Sequence, residues 1–142
     1  MAGFEFRTSP GRDIQECQLD STSAAIVVGD AITVSGATSG YFKEVDAAAE
    51  AVYGIATQAQ SSPSADGGKT VMVDVSRHST YEVKPDAGTV TQALVGKSMD
   101  VGADAKTVDI DGSTTDDLVC RKVDTTNNTL HVQLAAPSFT GV

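Results

Sequence analysis

The sequence predicts a small all-β domain, and three observations predict it. Short runs of β-branched residues are frequent, turn residues separate them, and helix formers are scarce. The 142 residues include 17 Val and 16 Thr but only 5 Leu and 5 Glu. Val and Thr suit pleated strands, whereas a helical bundle would need Leu, Lys and Glu. A chain of this length corresponds to one domain, expected over residues 13–135, between an extended N-terminal arm at 1–12 and a C-terminal tail at 136–142.

Candidate strands follow the chain at intervals that are typical of a β-barrel or sandwich. They are expected at 14–19, 25–28, 31–35, 41–45, 51–57, 69–76, 80–84, 107–111, 118–123 and 129–134. From these ten candidate segments, about eight or nine short strands are expected. At most one short helix is expected, at Thr91–Val95, closed by the C-terminal glycine Gly96. Residues 46–50 fit one helical turn or a loop, and 101–105 are turn-like.

The strongest strand signals are strict alternations. In 69–76 every second residue is Val, so one face is apolar. The run 118–134 is a hairpin whose core face is expected to carry Leu130, Val132 and Leu134, while His131 and Gln133 point away. Gly54, within an otherwise apolar run, indicates a bulge or a close backbone approach.

Charge excludes several classes of partner. The chain carries 10 basic and 19 acidic residues, a net charge of −9. Phosphate-backbone binding needs clustered Lys and Arg, so no nucleic acid is expected. Adsorption to an anionic membrane is disfavoured for the same reason, and no stretch approaches 18 apolar residues. The first residues lack the pattern of a signal peptide, so synthesis and folding in a reducing cytoplasm are expected.

The candidates for catalysis are few, and no enzymatic activity is expected. His78 lies between two strands and His131 within one, and neither accompanies a Gly-x-Ser-x-Gly elbow. A loop histidine and a solvent-facing strand histidine are the simpler interpretations. The segment Gly67–Thr70 is not a phosphate loop, because position 63 is Pro where the first Gly would fall.

No metal or cofactor is expected. The densest acidic cluster comprises Asp109, Asp111, Asp116 and Asp117. It lacks the full ligand spacing of an EF-hand, so a solvated acidic turn is favoured over an adventitious calcium site. Cys17 and Cys120 stand alone, too far apart for a zinc motif. Two small buried thiols are favoured over a disulfide, which would require neighbouring strands.

The N-terminal segment combines aromatic and charged residues. Phe4 and Phe6 alternate with charges, and residues 8–11 break the pattern. Aromatic residues are scarce in disordered tails, so this segment is expected to dock, either on a partner or on its own domain.

Several segments, in order, resemble small decoration (cement) proteins of tailed-bacteriophage heads. Val28-Gly-Asp-Ala-Ile-Thr-Val34 is similar to the "x-Gly-Asp-x-Val" strand with which their fold opens, and Val52-Tyr-Gly-Ile-Ala-Thr57 to their "Gly-Val-Ala" strand. Residues 69–75 and 80–85 resemble their paired strands, and Ala93-Leu-Val-Gly-Lys97 their "x-x-Val-Gly" segment. Together these segments cover roughly residues 25 to 134.

This resemblance implies a β-tulip fold and a structural protein of the virion. Such a protein binds the outer surface of the capsid and stabilises the expanded head by bridging neighbouring capsid subunits. Its partners would be the major capsid protein and itself, as a homotrimer or a dimer. The family's arms vary, so the capsid-contact candidates come from composition and position alone: Phe4, Phe6, Arg7 and Arg12.

Two other classes remain open. A tail or fibre component would share the β-rich composition. A small β-barrel ligand binder would need a pocket with converging polar groups, for which the plausible lining is Tyr41, Tyr53, His78 and Tyr81.

Overall fold

The computed structural model describes residues 3–36 and 40–135. It confirms a nearly all-β domain. The strands are β1 (Glu5–Thr8), β2 (Ile14–Gln18), β3 (Ala31–Val34), β4 (Phe42–Glu44), β5 (Gly54–Ala56), β6 (Thr70–Asp74), β7 (Thr80–Pro85), β8 (Ser98–Val101), β9 (Thr107–Asp109), β10 (Leu118–Asp124) and β11 (Thr129–Leu134). In the described part of the chain, helical structure is limited to a 3₁₀ turn at Gln92–Leu94, and no helix is long and apolar enough to cross a membrane.

The larger sheet closes on itself in part. Its order is β1-β7-β11-β10-β8-β9, and β9 also pairs in parallel with β7. Five strands therefore form a ring, and β1 is an edge strand added to β7. The ring encloses apolar side chains that alternate along the predicted hairpin, including Leu130, Val132 and Leu134. The hairpin and its core face are confirmed.

The second sheet has five strands in the order β2-β6-β5-β3-β4. An isolated bridge between Leu19, just after β2, and Phe42 of β4 brings its two edges together. Its smaller core includes Val71 and Val73, on the face that alternation predicted. Gly54 marks a close backbone approach, as predicted: a Cβ there would lie 2.6 Å from the carbonyl oxygen of Asp74.

Three local features differ from what the sequence predicted. Residues 25–28 do not form a strand: Ile26 makes one bridge, and the chain then turns, with the Val27 amide donating to the Asp30 carboxylate at 3.0 Å. The predicted helix near residue 92 is only a 3₁₀ turn, although Gly96 does follow it with a positive φ of 86°. Strand β8 was not predicted, because its alternation includes a buried aspartate, Asp100.

Candidate functional site

The N-terminal segment lies on its own domain from residue 3 onward. Phe4 is 2 % exposed and belongs to the larger core, and its amide donates to the Gly29 carbonyl at 2.8 Å. Strand β1 then pairs antiparallel with β7. Of the two alternatives that the sequence left open, the structure shows that residues 3–12 pack on their own domain. Phe4 in particular is a core residue rather than an exposed contact.

Phe6 and Arg12 form an exposed pair beside a buried acid. The Arg12 guanidinium lies 3.7 Å from the Phe6 ring centroid, and the Phe6 ring meets Tyr81 edge-on at 5.8 Å. Arg12 Nε donates to Asp74 Oδ2 at 3.2 Å, and the Tyr81 hydroxyl donates to the same oxygen at 2.6 Å. Phe6 remains 37 % exposed, so an aromatic ring and a cation face solvent together.

Asp74 holds this cluster together from beneath. Its side chain is inaccessible to solvent. Burial opposes its ionisation, but hydrogen bonds from Tyr81, Ser79 and Ser76 and the contact with Arg12 outweigh burial and lower the pKa of Asp74. Burial and the bond to Asp74 raise the pKa of Tyr81, so this hydroxyl stays protonated and donates.

Arg7 forms a second link between the segment and the domain. Its guanidinium donates to Glu82 on β7 (Nε–Oε1, 2.8 Å) and also contacts Glu5 at 3.1 Å. Glu82 accepts a further bond from Thr129 Oγ1 at 2.5 Å. The bond from Thr129 and the contacts with Arg7 lower the pKa of Glu82. Both arginines of the segment thus have intramolecular carboxylate partners, with Arg7 still 40 % exposed.

A different kind of surface lies at the end of the β10–β11 hairpin away from its turn. A pocket of about 320 Å³ opens there, between the hairpin and the loop from β6 to β7. It is lined by Arg77, His78, Val119, Arg121, Gln133, Leu134 and Ala135. Two arginines and a histidine converge here, and these lining residues include no Asp or Glu.

Of the four residues expected to line a ligand pocket, His78 lies at this one. Tyr41, Tyr53 and Tyr81 do not line it: the Tyr81 hydroxyl donates to Asp74, and the Tyr53 hydroxyl donates to Gln15 at 2.8 Å while its ring packs on Phe42. His131 lies 3.8 Å from Glu82, on the outer face of the larger sheet.

The cysteines are both buried and both free, as the sequence favoured. Cys17 belongs to the smaller core and Cys120 to the larger. Burial raises the pKa of Cys17 to about 12 and also raises the pKa of Cys120. Both thiols are therefore protonated at neutral pH and poor nucleophiles.

The acidic cluster is organised by Asp100, which sequence reasoning missed. Its carboxylate accepts the amides of Thr114, Thr115 and Asp116 at 2.8–2.9 Å. Asp117 is buried and accepts the Val52 amide at 2.9 Å. Among residues 3–36 and 40–135, no three His, Cys, Asp or Glu side chains are placed to hold a metal ion.

Another buried acid lies at the start of β3. Asp30 is inaccessible to solvent and accepts from Lys106 Nζ at 2.7 Å, and Glu44 lies 3.6 Å from the same ammonium. Burial and the neighbouring Asp30 raise the pKa of Glu44 to about 7. Gly29 and Asp30 lie between the strands predicted at 25–28 and 31–35, but nothing local in the sequence indicated the distant lysine.

Comparison with known proteins adds no assignment. No protein-family model matches the chain, no curated protein matches it, and no solved structure matches its fold.

Proposed function

We propose that this protein is a structural component of a tailed-bacteriophage virion that binds the outer surface of the capsid and stabilises the expanded head. The supporting observation is the ordered resemblance over residues 25 to 134. In the structure, the segments that carry it coincide with β3, β5, β6 and β7 of one small all-β domain, although β6 and β7 lie in different sheets and do not pair as the resemblance implied. The proposed partners are the major capsid protein and further copies of this chain, as a trimer or a dimer.

The proposed contact surface is the exposed part of the N-terminal segment. Phe6, Arg7 and Arg12 lie on or beside the edge strand β1, and each is more than a third exposed. Arginine and aromatic side chains are enriched at protein interfaces, and a cation stacked on a ring combines both properties. Phe4 supports this surface from inside the core.

The first test is a density gradient of the native source lysate, with mass spectrometry of each fraction. We expect the chain to travel with DNA-filled heads at a near-stoichiometric ratio to the capsid subunit. Recovery only from the soluble fraction would overturn the proposal. Co-migration with tails instead would favour the alternative, a tail or fibre component.

A second test addresses the contact surface. Heads stripped of the protein are mixed with purified Phe6→Ala, Arg12→Gln or Val95→Ala protein. Val95 is the matched control, because it is 39 % exposed, close to the 37 % of Phe6, and lies far along the chain from β1. We expect both N-terminal variants to rebind about tenfold more weakly and V95A to rebind normally. Equal rebinding by all three variants would show that the capsid-contact surface lies elsewhere. It would leave the conclusion from the density gradient unchanged.

A further inference from the structure

The pocket at the end of the β10–β11 hairpin concentrates positive charge on an acidic chain. Arg77 and Arg121 both line it, while the net charge of the chain is −9. Neither arginine forms an ion pair with any residue in the described part of the chain, unlike Arg7 and Arg12. Two arginines without carboxylate partners in one pocket give it a positive potential, which favours an anion.

Arg121 is held in a defined orientation. Its Nε donates to Gln133 Oε1 at 3.0 Å. The amide nitrogen of Gln133 donates in turn to Thr80 Oγ1 at 3.1 Å and to the His78 carbonyl at 3.4 Å. Gln133 therefore fixes one edge of the guanidinium and leaves the two Nη groups for another acceptor. Paired Nη groups match the two oxygens of a carboxylate.

The remaining wall of the pocket is aliphatic. Val119 and Ala135 are half-buried and Leu134 is 7 % exposed. A volume of about 320 Å³ holds roughly ten water molecules at about 30 Å³ each. The space therefore accepts an anionic group together with a short branched hydrocarbon chain.

We infer that this pocket binds a carboxylate carried on a short aliphatic chain. The arginines take the carboxylate, and Val119, Leu134 and Ala135 cover the hydrocarbon. Inorganic phosphate fits less well, since it would lie against this aliphatic wall with no apolar part to bury. Binding at this pocket requires no capsid, so it stands or falls separately from the proposed function.

The carboxylate has two possible sources, a free short-chain acid and a glutamate side chain of a partner protein. Both share the same chemistry at the arginines. They differ at the mouth of the pocket, where a glutamate continues into a polypeptide backbone. Probes of each kind therefore distinguish them.

The experiment is a titration of the full chain, observed by amide chemical shifts. The probes are 3-methylbutanoate, its uncharged analogue 3-methylbutanol, inorganic phosphate, and glutamate capped at both ends as amides. We expect 3-methylbutanoate and capped glutamate to shift the amides around residues 77–78, 119–121 and 133–135 in a saturable way. The tighter of the two identifies the source. The alcohol and phosphate are expected to bind at least about tenfold more weakly.

Charge-matched variants show whether the arginines act. Arg121→Gln and Arg77→Gln should each weaken 3-methylbutanoate binding about tenfold. Lys84→Gln removes one positive charge from an exposed lysine at the far end of β7, which forms no ion pair within residues 3–36 and 40–135. This change should leave binding unchanged. Equal weakening in all three would show only a net-charge effect and overturn the site.

Other outcomes also overturn the inference. They are an absence of saturation up to about 0.1 M probe, shifts spread over the whole surface, and equal affinity for the alcohol or for phosphate. Because the arginines are exposed, amide spectra of the variants should match the wild type before ligand is added, which separates lost binding from lost fold.

Discussion

Two regions of this protein differ in how their cations are neutralised. Around the N-terminal segment and the start of β3, Arg7, Arg12 and Lys106 each contact a buried carboxylate. At the end of the hairpin, Arg77 and Arg121 have no such partner among the described residues. The first region uses its cations to hold the fold, and the second leaves its cations free for a ligand.

This difference distinguishes four arginines that the amino-acid composition alone does not distinguish. Arg7, Arg12, Arg77 and Arg121 are all exposed arginines of one acidic chain. Removing a cation whose partner is a buried carboxylate leaves that charge uncompensated, which is costly. Removing an exposed cation without a partner costs little. Stability and binding measurements on matched variants therefore test the two regions independently.

The largest expected effect comes from Phe4, which fixes the N-terminal segment in the larger core. Phe4→Ala should lower the free energy of unfolding by about 3–5 kcal/mol, because the side chain is fully buried and leaves a cavity. Phe6→Ala is the control and should cost about 1 kcal/mol, since its ring is 37 % exposed. Urea denaturation measures both. Small, equal losses would show that the segment does not belong to the core.

The next effect is on the buried acid beneath Arg12. Asp74→Asn should cost about 2–3 kcal/mol at neutral pH, because it weakens the bonds from Arg12, Tyr81 and the neighbouring amides. Glu5→Gln, which removes a solvent-exposed partner of Arg7, should cost less than about 0.5 kcal/mol.

The difference in unfolding free energy between wild type and Asp74→Asn should depend on pH with a definite sign. The pKa of Asp74 is lowered from 3.8 in the folded state. Its contribution is therefore complete above 3.8 and is lost as the pH falls further. Wild type and Asp74→Asn should converge in acid, as followed by urea midpoints. A gap that stays constant down to the lowest pH would contradict the role of the ionised carboxylate.

The pH dependence of stability that Glu44 contributes should be smaller than that of Asp74 and of opposite sign. Its pKa rises from 4.5 to about 7 on folding. The stability associated with its protonated form is complete below 4.5 and is lost as the pH rises through about 7. This shift corresponds to about 3 kcal/mol before solvent screening, which reduces the expected loss to about 2 kcal/mol. Glu44→Gln should abolish the loss. Parallel pH profiles of wild type and variant, from urea denaturation, would contradict this.

The smallest effects on stability are expected at the pocket at the end of the β10–β11 hairpin. Arg77→Gln and Arg121→Gln should each change the free energy of unfolding by less than about 0.5 kcal/mol. Thermal and urea denaturation are the measurements. A loss above about 1 kcal/mol from either change would show that these cations also hold the fold, and would erase the contrast between the regions.

Much of the fold was predictable because its signals are local. Alternation of Val in β6 and of Leu and Val in β11 identifies strand and buried face from neighbours two residues apart. The strand predicted at 25–28 was wrong because it rested on β-branched residues alone, while the Asp30 carboxylate turns the chain at Val27. Strand β8 was missed because Asp100 interrupts its apolar pattern.

The sites depended on contacts that the sequence does not contain locally. Alternation placed Asp74 on the polar face of β6, yet it is buried and bonded to Arg12, 62 residues away in the chain. The arginines of the hairpin pocket come from different loops and strands, and no spacing in the sequence joins them. His78 was among the residues expected to line a ligand pocket and does line this one, but its arginine neighbours were not expected there.

The sequence by itself determined the all-β class, the hairpin and the apolar faces of its clearest strands, because a period of two residues is a property of short segments. Only the tertiary structure decided which carboxylates are buried, which cations they neutralise, and that the N-terminal segment packs on its own domain. Those outcomes depend on pairing between distant strands, such as β1 with β7, where long-range contacts rather than local preference set the free energy.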